Sequence, residues 1–136
     1  MRYMLDTNIC IYLLKGHPKS VFQRLAQEDY GDVSMSCLTL AELRRGISSE
    51  SGSSQKNDEA ALKALQQDII ALDFDASAAH AYGVVGANCT LKRSRSIDNL
   101  IAAHAISQQA VLVTNNEKDF KGYPGLRVEN WAIQPT

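Results

Sequence analysis

Ala110-Val111-Leu112-Val113-Thr114 is an unbroken apolar run, and Asn115-Asn116 ends it. A short apolar run rich in β-branched residues and closed by turn formers reads as a strand buried on both faces. Outward from it the pattern repeats. Tyr3-Met4-Leu5 is a short apolar strand that stops at Asp6-Thr7-Asn8, and Val33-Ser34-Met35-Ser36 reads as a second strand. Leu72-Asp73-Phe74 and Leu126-Arg127-Val128 supply two more, the last just ahead of Trp131.

The segments between these strands carry apolar residues at helical spacing. Ile9 to Leu14 forms a short helix stopped by Gly16, and Pro18 suits the first position of the next, with Val21, Phe22 and Leu25 inside it. Thr39 is expected to open a third helix containing Leu43 and Ile47. Residues 48–54 hold five serines and read as a flexible connector, after which Asn57-Asp58-Glu59 caps a helix bearing Leu62, Leu65, Ile69 and Leu72. Ala76 to about Leu91 and the segment from Ile97 to Ala105 complete the set, with Lys92–Ser96 a basic loop between them. Strands alternating with helices predict an α/β fold, a three-layer sandwich around a central, mostly parallel sheet.

A chain of 136 residues fits one domain, read here as spanning 1–136. With 14 Lys+Arg against 15 Asp+Glu, the net charge of −1 argues against binding nucleic acid by global charge alone. Cys10, Cys37 and Cys89 form no C-x-x-C pair, which argues against a zinc site or a disulfide framework. No apolar run reaches the roughly 20 residues of a membrane helix, and Asp6 interrupts the start. A cytoplasmic protein without membrane contact is expected.

The carboxylates are distributed less evenly than the composition. Asp6 follows the first strand, Glu42 lies just beyond the second, Asp98 starts a helix, and Asn115, Asn116 and Asp119 follow the strongest strand. In an open parallel sheet ligands bind beyond the carboxyl ends of the strands. Oxygen ligands from distant segments are therefore expected to meet at one edge. Carboxylates brought together repel, and an all-oxygen set without His or Cys suits Mg²⁺ or Mn²⁺. Phosphodiester hydrolysis is the matching reaction class.

Each acid also has an ordinary structural explanation. Thr39-Leu40-Ala41-Glu42 matches a capping box, Asp98 favours a helix N-terminus that Ser96 would cap, and Asp6 can cap the helix after it.

Four segments occur in order: Met4-Leu5-Asp6-Thr7-Asn8-Ile9-Cys10-Ile11-Tyr12, Thr39-Leu40-Ala41-Glu42-Leu43, Asp98-Asn99-Leu100-Ile101-Ala102-Ala103-His104-Ala105 and Leu112-Val113-Thr114-Asn115-Asn116. Together they resemble the PIN-domain ribonucleases of the VapC type, toxins of type II toxin–antitoxin pairs. The likeness runs to Gly125-Leu126-Arg127-Val128-Glu129-Asn130-Trp131. It implies a PIN-like fold in which Asp6, Glu42 and Asp98 bind Mg²⁺, Asn116 stands at a fourth, usually acidic position, and Asp119 supports the site. It further implies cleavage of RNA, frequently tRNA, a VapB-type antitoxin as inhibiting partner, and homodimers. One departure stands out. Relatives carry a Gly-rich loop before the third Asp, whereas Arg95-Ser96-Ile97 abuts Asp98 here, a loop shorter by about three residues.

Arg44, Arg45, Lys92, Arg93 and Arg95 flank the acids and can dock RNA phosphates, although charges on a helix face or loop are often merely solvated. Tyr12 and Tyr82 fit packing better than base stacking, and His104 reads as packed or hydrogen-bonded rather than catalytic. Two other readings stay open. A degenerate PIN domain would bind RNA or antitoxin without cutting. An aspartyl phosphatase would use Asp6 as nucleophile, but it needs a second Asp where Asn8 stands.

Overall fold

The computed structural model describes residues 2–133. Five strands, β1 (Tyr3–Leu5), β2 (Val33–Ser36), β3 (Ile70–Leu72), β4 (Val111–Val113) and β5 (Arg127–Glu129), form one sheet in the order β3-β2-β1-β4-β5. Every pairing is parallel, with Leu5 level with Met35 on one side and Val113 on the other. The expected three-layer α/β sandwich is what is observed.

Seven α-helices lie among the described residues: α1 (Thr7–Lys15), α2 (Lys19–Leu25), α3 (Cys37–Ser48), α4 (Gly52–Asp68), α5 (Ala76–Asn88), α6 (Ser96–Ser107) and α7 (Glu117–Phe120). The strand period of two divides the core. Tyr3, Leu5, Val33, Met35, Val111 and Val113 face one layer and pack on Ile9, Val21, Leu43, Ile47 and Leu62. Met4 and Leu112 face the other, where Val85, Ile101, Ala102 and Phe120 meet them. Strands buried on both faces explain why β1 and β4 are uniformly apolar in sequence.

Several boundaries differ from the sequence reading, each for a local reason. The cap of α3 is Ser36, whose side chain accepts the Leu38 N–H at 3.1 Å, so Thr39 sits inside the first turn and no Thr39–Glu42 capping box forms. Pro18 is the residue before α2 rather than its first member. The serine-rich stretch is mostly helical, because α4 begins at Gly52 and only residues 49–51 connect it to α3. Gln55 Nε2 donates to the Ile47 carbonyl at 3.1 Å, beside the Glu50 N–H that the same carbonyl accepts at 3.0 Å, and this ties α4 to the end of α3. Asn57-Asp58-Glu59 is therefore interior to α4, and Asp58 is buried against Lys15 Nζ at 3.0 Å. The third strand is Ile70–Leu72, the fifth Arg127–Glu129, and α5 ends at Asn88.

The chain leaves β1 towards β2 and β3, then crosses to β4 and β5 on the opposite side. The reversal lies between β1 and β4. Their carboxyl ends are where a crevice forms in such sheets.

Candidate active site

Asp6 stands at this reversal. Its backbone N–H donates to Val113 O at 2.9 Å, tying the start of the site to β4. Its carboxylate caps α1 by accepting the Ile9 N–H at 3.0 Å and takes a second bond from the Thr114 hydroxyl. Both bonds favour the ionised form, yet burial outweighs them. With smaller contributions from the charges of Asp98 and Glu42, the carboxyl pKa is pushed up to about 6. Asp6 therefore does cap a helix, as the plainer reading held, while also feeling two other acids. The two roles coexist.

Asp98 lies in the first turn of α6, half-buried. Burial raises its pKa, and the charges of Glu42 and Asp119 raise it further against the opposing pull of Arg95. Glu42, on α3, accepts a hydrogen bond from the Thr7 hydroxyl through Oε1, and Thr39 Oγ1 lies 3.4 Å from Thr7 Oγ1. Asp6, Glu42 and Asp98 thus share one electrostatic neighbourhood. Among the described residues, no three His, Cys, Asp or Glu side chains are gathered closely enough to hold a metal ion as placed. One oxygen of Glu42 is spent on Thr7.

Asn116 is exposed on the turn after β4. Its backbone N–H donates to Thr114 Oγ1 at 2.9 Å, and its side chain makes no capping bond to α7. Asp119 is held by Arg95, whose guanidinium donates to Asp119 Oδ1 at 2.7 Å and to its backbone carbonyl at 3.1 Å. Arg45 lines a surface cavity with Glu42, whereas Arg44 is bound by Glu59 of α4 at 2.6 Å. Lys92 and Arg95 line a cavity of about 190 Å³ with Asp119, and Arg93 is exposed on the turn beside it. A cavity of about 590 Å³ beside α5 and α6 is lined by His80, Val84, Ile106 and Pro124, and none of these acids lines it.

Three participants escaped the sequence reading. Thr7 orients Glu42, Thr114 binds both Asp6 and the Asn116 backbone, and Ser36 links α3 to α6. Ser36 Oγ lies 2.8 Å from Nδ1 of the fully buried His104, whose pKa burial pushes down. Hydroxyls carry no spacing signature of their own, so only geometry reveals them. Tyr12 is half-buried and accepts from Asn115 Nδ2 at 2.9 Å, so its ring lies at the rim of the site. Ser36→Ala removes the α3 cap and the His104 partner together. A loss of about 1–2 kcal/mol of stability is expected, measured by urea unfolding.

Residues 3–126 match the PIN domain family model. The chain is 38% identical over 134 residues to ribonuclease VapC2 of Rickettsia felis, covering 96% of this chain and 98% of that protein. It is 36% identical over 135 residues to the tRNA(fMet)-specific endonuclease VapC of Shigella flexneri, covering 97% and 99%. Among solved structures it resembles VapBC2 of Rickettsia felis bound to a promoter DNA fragment, with TM-score 0.81, 34% identity, and 96% and 99% of the two chains covered. VapBC-1 of nontypeable Haemophilus influenzae matches with TM-score 0.81, 34% identity, and 98% and 100% covered. By fold and by these similarities, the chain belongs to the PIN-domain family, among the VapC ribonucleases.

Proposed function

We propose that this chain is a divalent-cation-dependent endoribonuclease, the toxin of a VapBC-type pair, and that its substrate is a tRNA. The observation that carries the reading is Asp6: a buried carboxylate pushed up to about 6, in the field of Glu42 and Asp98, at the reversal point of a parallel sheet. Carboxylates that disfavour one another's ionisation are an unstable arrangement until a cation offsets their charge. Their all-oxygen chemistry fits Mg²⁺ or Mn²⁺. Asp6, Glu42 and Asp98 would hold the ion, with Asn116 and Asp119 at the edge of the set. Such an ion supplies an activated water and charge compensation at a phosphodiester.

The chain's own residues orient and dock. Ile9 N–H and the Thr114 hydroxyl hold Asp6 in one rotamer, and Thr7 restrains Glu42. Arg45 beside Glu42, and Lys92 and Arg93 near Asp119, would meet phosphates on either side of the acids, and Arg95 can join them only by leaving Asp119. Arg44 can join them only by leaving Glu59. Relatives named for ribonuclease and tRNA(fMet)-specific endonuclease activity, and neighbours solved as VapBC assemblies, support RNA as substrate and a VapB-type antitoxin as partner. A homodimer is part of the same proposal.

The test is to incubate the purified chain with total RNA and Mg²⁺ and map the new 5′ ends. Cuts at one site in one or a few tRNAs are expected. Tight RNA binding with no new ends would favour a degenerate scaffold, and a phosphorylated Asp6 would favour phosphatase chemistry. Adding a VapB-type antitoxin that binds the chain should suppress the cuts.

A further inference from the structure

Helix α6, whose first turn carries Asp98, starts without the usual device for fixing a helix start. Its cap residue is Arg95, and no side chain bonds to the free amides of the first turn. The position of Asp98 must come from elsewhere. The neighbouring residue supplies it. Asn99, 3% exposed, donates from Nδ2 to the Lys92 carbonyl at 2.9 Å, the same carbonyl that accepts the Arg95 N–H at 3.1 Å to close the tight turn Arg93–Arg95. The turn is thereby tied to the first turn of α6.

The remaining polar atom of Asn99 is satisfied from a distant segment. Tyr123, 8% exposed, donates its hydroxyl to Asn99 Oδ1 at 2.5 Å. Its ring packs against Phe120 with centroids 5.8 Å apart, in the core layer that also holds Ile101 and Ala102 of α6. Burial, reinforced by the charge of Asp98, holds the phenol pKa up, so the hydroxyl keeps its proton and remains a donor. Arg95 makes a second, more exposed clamp to Asp119 on α7.

We propose that Tyr123, acting through Asn99, is a positioning residue that sets the placement of Asp98. The proposal rests on the reading of Asp6, Glu42 and Asp98 as a cation site. A buried amide with both ends bonded has one orientation, and removing one partner leaves the other unsatisfied. Because Asn99 and Asp98 are consecutive on α6, a turn of the helix start that relaxes Asn99 also moves Asp98.

The experiment compares the full-length chain with its Tyr123→Phe variant, which keeps the ring and deletes the hydroxyl. Mn²⁺ binding is followed by electron paramagnetic resonance of free Mn²⁺, alongside RNA cleavage. A control, Leu62→Ala, lowers stability from the opposite core layer. Tyr123→Phe should weaken Mn²⁺ binding about 10-fold, in the range for residues that orient metal ligands. It should lower kcat with little change in KM, and Leu62→Ala should leave Mn²⁺ affinity unchanged. Wild-type Mn²⁺ affinity in folded Tyr123→Phe overturns the proposal alone, as does equal weakening by Leu62→Ala. A wild-type chain that binds no Mn²⁺ overturns it together with the cation-site reading.

Discussion

Asp6→Asn should abolish RNA cleavage and, in the absence of metal, yield a more stable protein. The carboxyl pKa is about 6 in the folded chain against 3.8 ordinarily. Between about pH 4 and about pH 6 the folded state therefore binds more protons than the unfolded one, and stability falls as pH rises through that window. At pH 7 the full cost of the buried charge is present, about 3 kcal/mol, because a tenfold change in proton affinity corresponds to about 1.36 kcal/mol. Asparagine removes the buried charge while its Oδ1 can still accept the Ile9 N–H, so the α1 cap survives. Metal-free Asp6→Asn should gain about 2–3 kcal/mol at pH 7 and lose the stabilisation that the wild type shows on acidification towards about pH 4. Cleavage should drop at least about 100-fold, the upper end of what removing a mere orienting partner costs. Urea unfolding at two pH values without metal, with a cleavage assay on the same samples, reads both. A variant that is less stable than wild type at pH 7 would show that the Asp6 charge is not a net cost to the folded chain.

The second large effect concerns the sheet that brings the acids together. Leu112 is fully buried at the centre of β4, facing Met4, Ile101 and Phe120. Leu112→Ala should cost about 2–5 kcal/mol, the removed methyl groups plus the cavity left between sheet and α6. Domains of this kind carry a total of about 5–15 kcal/mol, so unfolding at a markedly lower temperature is expected. Val84→Ala, at a half-exposed position of α5, should change stability by less than about 0.5 kcal/mol. Differential scanning calorimetry of the two variants makes the comparison. Near-equal transitions would contradict the two-layer core.

The strands were readable from residues alone because β1, β2 and β4 are buried on both faces and carry little but apolar and small side chains. Val33–Ser36 coincides with its expected limits. The place of Asp6 was readable for a related reason: it directly follows β1, and in a parallel sheet following a strand means lying at its carboxyl end, whereas Asp98 follows no strand and its approach to the other acids is seen only in the fold. Helix starts were less readable. Ser36 and Thr39 are both good caps, and only the fold decides that Ser36, bonded to His104 across 68 positions, takes the role. Residues 48–54 look disordered by composition, yet Ser54 and Gln55 bond back to Glu50 and Ile47 and hold the helix start in place. Arg44 and Arg45 are adjacent and chemically alike. Only the neighbouring Glu59 separates their surroundings.

The segment before Asp98 shows the same limit from the other side. Set against the resemblance, its spacing looks like a loss. In three dimensions Asn99, Tyr123 and Asp119 hold the turn from segments that no local pattern connects to it.

We propose that Asp6, Glu42 and Asp98 act together through a divalent cation to cut RNA, and this is tested by a time course of tRNA cleavage by protein dialysed against EDTA, assayed before and after excess Mg²⁺ is restored. Intact tRNA is expected before, defined cuts after, and no cuts by Asp6→Asn in either condition. Equal cleavage by the wild type in EDTA and in Mg²⁺ would contradict the claim.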